Sequence, residues 1–169
     1  MNQMKKTHIA KVTVNIAEGQ VGDGVEKAYD LIEKLTGREP VRTKSGETSK
    51  TFGLRSGLNI GAKVTLRGEE AREFLEKILP AVDNEISAES FDDNGNFGFG
   101  VSEYIDVPKM DYDADIGMKG FEVNVKLERP GYRTKKRDHK PRELGKDHKV
   151  DREDAQEFVE DELGAEVVQ

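Results

Sequence analysis

The chain has 169 residues, no cysteine and a formal net charge of −7. This length predicts one domain covering residues 1–169, with room for a substantial core. The absence of cysteine excludes a disulfide scaffold, a thiolate metal site and a cysteine nucleophile, and it favours an intracellular protein. We also expect no membrane span and no signal peptide, because no segment has the required apolar character.

The charges are distributed unevenly along the chain. Residues 1–11 hold three basic residues and no acidic one, residues 38–67 hold seven basic and two acidic residues, and residues 126–149 hold ten basic and four acidic residues. After folding, such segments allow one face of the molecule to attract phosphate groups. An ordinary surface of mixed charge is the alternative, and the charge pattern alone does not decide between them.

The first third of the chain predicts two strands and a helix. Apolar and polar residues alternate in 9–16, which predicts a half-buried strand, whereas apolar residues in 25–35 recur at helical spacing. A short strand is predicted at 40–44, with Val41 facing the core and both basic side chains facing outward.

The stretch FGLRSGLNIGAKVTLRG, residues 52–68, combines a loop with a strand. Residues 62–67 alternate between apolar and polar, which predicts the strand. The preceding loop contains glycines for turns, and it also contains four apolar residues that a solvated connector does not need: Phe52, Leu54, Leu58 and Ile60. A basic loop with an apolar tip, leading into a strand with a basic outer face, suggests contact with a large anionic partner.

The next elements are a helix and two strands. Apolar residues recur at helical spacing over 69–82, and Pro80 predicts a kink or an early end of that helix. Strict alternation predicts strands at 97–101 and 121–127.

The C-terminal part contains a basic segment and a last helix. Residues 128–149 are hydrophilic and almost without apolar anchors, so we expect an extended segment that does not fold compactly by itself and that a partner could order. A helix is predicted at 151–163, with Asp151 as its N-cap.

Together these patterns predict an α+β fold, in which amphipathic helices pack on one face of a mixed, mainly antiparallel sheet. The other face would be open for RNA. Its outward residues are Lys11, Thr13, Asn15, Arg42, Lys44, Lys63, Thr65, Arg67, Glu122, Asn124 and Lys126. Cationic groups mixed with hydroxyl and amide groups suit contacts with phosphate and 2′-hydroxyl groups across an RNA minor groove. A merely solvated polar face is the alternative.

Two segments partly match the sequence motifs of ligand-binding sites. Gly19, Gly22 and Gly24 lie between a strand and a helix, but their spacing differs from that of a dinucleotide-binding turn. Despite this difference, a nucleotide-binding α/β enzyme that uses this turn is kept as the alternative function. The acidic loop at 111–122 has the carboxylate spacing of a calcium loop without its glycine. We expect no catalytic residue, no cofactor and no metal site.

Six segments of the chain resemble the universal large-subunit ribosomal protein family called L-five, in its archaeal and eukaryotic branch. They are KVTVNIAEG (11–19), LTGREPVRTK (35–44), FGLRSGLNIGAKVTLRG (52–68), FDDNGNFGFGV (91–101), DYDADIG (111–117) and RPGYRTKKR (129–137). The segments occur in the family's order, and the match covers essentially the whole chain.

The resemblance implies a structural, non-enzymatic protein of the cytoplasmic ribosome. Members of the family bind 5S rRNA and help attach it to the large subunit in the central protuberance, among neighbouring proteins, with further contacts to the large-subunit rRNA. One of their loops contacts the P-site tRNA, and they form a bridge to the small-subunit head protein S-thirteen.

The resemblance also implies which residues make these contacts. The implied rRNA-binding residues are Lys11, Thr13, Asn15, Arg42, Lys44, Lys63, Thr65, Arg67, Arg129, Tyr132, Arg133, Lys135, Lys136 and Arg137. The implied tRNA-contact loop consists of Leu54, Arg55, Ser56, Gly57, Leu58 and Asn59, with Arg55 as phosphate partner and Leu58 at the tip. Residues 129–142 would form an extension that RNA orders.

Overall fold

The computed structural model describes residues 2–51 and 53–168, and the loop residue Phe52 lies outside the described residues. The strands are β1 (His8–Ala17), β2 (Val41–Lys44), β3 (Asn59–Leu66), β4 (Glu85–Ser87), β5 (Asn96–Val101), β6 (Phe121–Glu128) and β7 (Glu166–Val168). The helices are α1 (Asp23–Thr36), α2 (Glu69–Ile78), α3 (Arg133–Lys136) and α4 (Arg152–Phe158). The predicted α+β fold is confirmed.

The main sheet is antiparallel, with the strand order β2-β3-β1-β6-β5, and β4 pairs with β7 as a separate parallel ribbon. The chain divides into two compact units. The first unit contains residues 2–12, 67–98 and 125–168, and the second contains residues 13–66 and 99–124. The prediction of a single domain stays a prediction.

In the second unit, α1 packs against β3 and buries four of the five predicted stripe residues, whereas the fifth, Tyr29, is half-buried. The buried residues of this helix are Val25, Ala28, Leu31, Ile32 and Leu35. Gly37 ends the helix in the left-handed conformation, which glycine adopts without steric cost. On β3, Gly61 permits close strand approach, because a Cβ atom there would lie 2.4 Å from the carbonyl oxygen of Ile16.

The predicted orientation of β2 is wrong. Val41 is 64% exposed, and Arg42 pairs directly with the fully buried Ala62 of β3. Opposite residues of an antiparallel pair share a face of the sheet, so Arg42 lies on the same side as the buried residues of β3. Alternation over a few residues gives the period but not the direction, and an edge strand such as β2 need not bury its valine.

In the first unit, α2 buries Ala71, Phe74, Leu75 and Ile78. It ends at Ile78 and continues as a 3-10 turn over Leu79–Val82, with Pro80 near the start of that turn. The predicted early end at this proline is therefore confirmed. Proline lacks the N–H group that an α-helix interior requires, and the tighter turn accommodates it.

The last helix begins after Asp151, which forms a reciprocal capping box with Asp154. It continues as a π-helical turn over Val159–Leu163 and ends at Gly164, which has a φ angle of 66°. The ribbon of β4 and β7 has no signature in the sequence, because three-residue strands are too short for a recognisable alternation.

Candidate nucleic-acid interface

In the second unit, four of the predicted RNA-binding residues lie on the neighbouring strands β1 and β3. Thr13 and Asn15 alternate with buried valine and isoleucine residues along β1 and are half-buried, as is Thr65 on β3. Lys63 is exposed and alternates with the buried residues of β3. Within residues 2–51 and 53–168, Lys63 has no ion pair and no side-chain hydrogen bond, so its charge is available to a phosphate group.

Arg42 is placed differently from Lys63. Its Nη2 atom lies 2.6 Å from Glu26 Oε2 and its Nε atom donates to Glu26 Oε1 at 3.0 Å, which makes a two-point ion pair with α1. Its guanidinium group lies 4.4 Å from the ring centre of Tyr29. The hydrogen bond from Arg42 lowers the pKa of Glu26. The guanidinium group of Arg42 is therefore already paired within the protein, and it lies on the opposite face of the sheet from Lys63. Lys44 is exposed and follows a register shift in β2.

The predicted tRNA-contact loop is held by its own backbone. Ser49 and Leu54 exchange two hydrogen bonds of 2.9 Å, the N–H of Ser45 donates to the carbonyl of Leu58 at 2.8 Å, and the N–H of Gly57 donates to the carbonyl of Ser45 at 2.9 Å. Leu54, Leu58 and Asn59 are half-buried. The exposed tip consists of Arg55, Ser56 and Gly57, so the cationic side chain is presented more fully than the leucine that the resemblance implies at the tip.

In the first unit, a cavity of about 440 Å³ brings together basic residues from separate segments. Its charged and titratable lining consists of His8, Lys11, Arg67, Lys126, Glu128 and Lys136. Lys11 and Arg67 are thus brought near Lys136 of the basic segment, as a common RNA face requires. Among the described residues that line this cavity, Glu128 is the single carboxylate, and it is only 7% exposed.

Glu128 acts as the internal counter-ion of this cavity. Its Oε1 atom accepts a hydrogen bond from Lys136 Nζ and lies 3.4 Å from Lys126 Nζ. Burial alone would raise the pKa of Glu128, but the hydrogen bonds and charges of Lys136 and Lys126 outweigh burial and lower it. Glu128 is therefore ionised at neutral pH and neutralises part of the lysine charge.

The basic segment is folded against the first unit, contrary to the expected extended conformation. The Nη2 atom of Arg129 lies 2.6 Å from Asp154 Oδ1, and its Nη1 atom donates to the carbonyl of Lys149 at 3.0 Å. The hydroxyl of Tyr132 accepts a hydrogen bond of 2.7 Å from the N–H of Val150. Charged and aromatic side chains thus replace the apolar anchors whose absence suggested an unfolded segment.

The remaining predicted residues of this segment are more accessible. Arg133 and Lys135 are exposed and belong to the short helix α3. Arg137 is exposed, and its Nε atom donates to the carbonyl of Lys140 at 2.9 Å. Of the predicted residues here, Arg129 and Tyr132 therefore anchor the segment, whereas the helix presents its cations to solvent.

Sequence reasoning missed Glu128 as the partner of these lysines. The signal was available, since Lys126 and Glu128 share the outward face of β6 by strand alternation. It also missed Lys149 and Asn96, which line a second cavity with Lys135. Their positions follow from the packing of the basic segment, which no local pattern predicts.

The structure gives neither the acidic loop at 111–122 nor the glycine turn at 19–24 the features of a ligand site among the described residues. Asp113 forms an ion pair with Lys34 of α1 and accepts a 2.9 Å hydrogen bond from the N–H of Asp115. No cluster of three potential metal ligands occurs within the part of the chain that the structure describes. At the glycine turn, a Cβ atom on Gly24 would lie 2.8 Å from a carboxylate oxygen of Glu18, and a phosphate group would meet that negative charge.

Comparison with known proteins identifies the family. Residues 2–55 match the family described as Ribosomal protein L5, and residues 59–159 match the C-terminus of the same ribosomal family. The chain belongs to the ribosomal L5 family. This result confirms the resemblance and the prediction that the chain is not an enzyme, and the antiparallel sheet contradicts the alternative of a nucleotide-binding α/β enzyme.

Three similar proteins bear the name large ribosomal subunit protein uL5. The chain is 47% identical to that of Nanoarchaeum equitans over 166 residues, which cover 98% of both chains. It is 44% identical to that of Sulfurisphaera tokodaii over 100% of this chain and 96% of the other, and 46% identical to that of Methanococcus vannielii over 98% and 93%. A ribosomal location in the cytoplasm follows from this membership. No helix in the described residues is long and apolar enough to cross a membrane.

Proposed function

We propose that the chain is a structural protein of the large ribosomal subunit that binds 5S rRNA and helps attach it in the central protuberance, with further contacts to the large-subunit rRNA. The observation that carries this proposal is the group formed by Lys63 with Thr13, Asn15 and Thr65 on β1 and β3. A free cation beside hydroxyl and amide groups provides both kinds of contact that an RNA minor groove offers, to phosphates and to sugar or base edges.

A gel-shift titration of 5S rRNA tests this proposal, with an unrelated RNA of equal length as competitor. The wild-type chain should prefer 5S rRNA, and Lys63→Glu should weaken this binding by roughly tenfold and lower the slope of log affinity against log salt by about 1. Lys109→Glu is the matched control, because it makes the same charge change at an exposed site in the acidic part of the second unit.

Equal losses from the two variants would show that bulk charge, and not the face around Lys63, governs binding. Equal affinity of the wild-type chain for the two RNAs would reject the 5S rRNA assignment itself.

The proposal extends to the P-site tRNA and to the small-subunit head protein S-thirteen. Support for the tRNA contact comes from the exposed tip of Arg55, Ser56 and Gly57, where a cation stands beside a glycine with a φ angle of 88°. Arg55→Ala should weaken retention of P-site tRNA on reconstituted ribosomes and leave 5S rRNA affinity unchanged. Support for the bridge comes from membership in the family, and cross-linking to S-thirteen in intact ribosomes tests it.

A further inference from the structure

The loop between β2 and β3 is held by side chains as well as by its own backbone. It covers residues 45–58 of the second unit. Ser45, at its base, is only 8% exposed, and its Oγ atom donates to the carbonyl of Glu47 at 2.7 Å. Ser45 therefore fixes the point at which the loop leaves the sheet.

A second set of hydrogen bonds joins the two sides of this loop. The Oγ1 atom of Thr48 accepts a hydrogen bond of 3.2 Å from the N–H of Ser56, and the Oγ atom of Ser56 donates to the carbonyl of Gly46 at 3.3 Å. We call these two bonds the Thr48–Ser56 clasp. They join residues eight and ten positions apart, whereas the hydrogen bond of a β-turn joins only near neighbours. The clasp therefore crosses the loop.

The clasp lies directly beside Arg55. On one side of Arg55, Leu54 exchanges two hydrogen bonds of 2.9 Å with Ser49, and on the other side Ser56 is held by the clasp. The side chain of Arg55 is exposed, and within residues 2–51 and 53–168 it has no hydrogen bond and no ion pair. The loop thus fixes the backbone on both sides of a cation and leaves the cation itself available.

This arrangement favours binding more than it favours folding. Thr48 and Ser56 are exposed, and an exposed hydrogen bond between neutral groups adds little to the stability of a fold, because water replaces either partner. A loop that is ordered before it binds, however, loses less conformational entropy when it meets a partner. The clasp is therefore expected to act on the contact made by Arg55.

We propose that Thr48 is a positioning residue for the contact between Arg55 and P-site tRNA. By accepting the N–H of Ser56, Thr48 holds the backbone next to Arg55 so that the guanidinium group is presented to a phosphate group. Thr48 acts through Arg55 and does not itself contact the tRNA. The inference rests on the proposed function for the identity of the partner.

Three variants test the clasp in the isolated full chain. Thr48→Val removes the acceptor and keeps the branched shape, and Thr48→Ser keeps an acceptor. Thr51→Val is the matched control, because it makes the same change at another exposed threonine of the loop that has no side-chain hydrogen bond among the described residues.

The hydrogen-exchange rate of the Ser56 amide, measured by NMR, reports directly on the clasp. Its intrinsic rate does not depend on residue 48, which is distant in sequence. Thr48→Val should increase the rate by at least roughly threefold, whereas Thr48→Ser and Thr51→Val should stay within about 1.5-fold of the wild type. An unchanged rate in Thr48→Val would overturn the inference.

A double-mutant cycle on reconstituted ribosomes tests the positioning role. Thr48→Val should speed the dissociation of P-site tRNA by roughly threefold, and Thr48→Ser should restore the wild-type rate. In the Arg55→Ala background, Thr48→Val should add less than about 1.5-fold, because a residue that acts through Arg55 has nothing left to position. A full threefold effect in that background would show that Thr48 acts independently of Arg55.

Failure of this inference and failure of the proposed tRNA contact are distinguishable. If Arg55→Ala speeds tRNA dissociation but Thr48→Val does not, the contact stands and the positioning role of Thr48 is rejected. If Arg55→Ala leaves tRNA dissociation unchanged, the proposed contact fails and the positioning role fails with it, whatever the exchange rate of the Ser56 amide.

Discussion

Lys63 of the second unit has the same charge as Arg129 and Lys136 of the first unit, but its neighbours in the structure differ from theirs. In the second unit, Lys63 projects from β3 without an ion pair among the described residues. In the first unit, Arg129 is paired with Asp154, and Lys136 is paired with Glu128. A phosphate group meets the full charge of Lys63, whereas Glu128 already neutralises part of the charge of Lys136. Counting cations along the chain therefore overstates the charge that RNA meets.

The largest effect should come from the ion pair that anchors the basic segment. The side chain of Arg129 is only 10% exposed, so Arg129→Ala removes the guanidinium donor from Asp154 Oδ1 and from the carbonyl of Lys149. We expect a loss of about 2–4 kcal/mol in the free energy of unfolding, measured by urea denaturation. Arg133→Ala, four residues away on the short helix α3, should change it by less than about 0.5 kcal/mol.

If the two variants had similar stabilities, Arg129 would not be an anchor, and the difference between the paired and unpaired cations would lose its structural basis.

A smaller effect is expected at Glu128, where removal of the charge should increase the affinity for rRNA. Glu128→Gln removes the carboxylate that neutralises Lys126 and Lys136 and should raise rRNA affinity roughly fivefold at moderate salt, because more cationic charge becomes available to phosphate. Glu122→Gln is the matched control, since it makes the same charge change at an exposed outward position of β6. A gain of equal size from Glu122→Gln would mean that net charge alone is responsible.

The same carboxylate should give stability a pH dependence. The pKa of Glu128 is lowered from its ordinary value of 4.5, so the folded state binds its proton less readily than the unfolded state. Its contribution to stability is complete above about pH 4.5 and is lost as the pH falls through the lower folded-state pKa. The difference in unfolding free energy between wild type and Glu128→Gln should thus be constant from about pH 7 to about pH 5 and shrink below about pH 4.5.

Urea denaturation at closely spaced pH values measures this difference. Glu122→Gln should show no such window, and a difference that grew on acidification would contradict the assigned direction of the pKa shift.

The sequence predicted the parts of the fold that depend on local chemistry. Alternation located β1 and β6, and Pro80 located the end of α2, because each pattern reflects the residue's own backbone or the period of its element. Ion pairs between distant residues, such as Glu18 with Lys119, have no local signature. For this reason β1 and β6 were predictable, whereas the orientation of β2 and the separation of neutralised from available cations required the structure.

The orientation of β2 provides the most sensitive test of the difference between paired and unpaired cations, and it does so within the second unit. Arg42 has the same predicted role as Lys63, but its guanidinium group is engaged by Glu26 and Tyr29. Arg42→Ala should therefore change 5S rRNA affinity by less than about twofold and leave the salt slope unchanged, whereas Lys63→Ala should lower that slope by about 1. Equal reductions of the salt slope would show that RNA displaces Glu26 as readily as it binds an unpaired lysine, and pairing within the protein would then not determine which cations contact RNA.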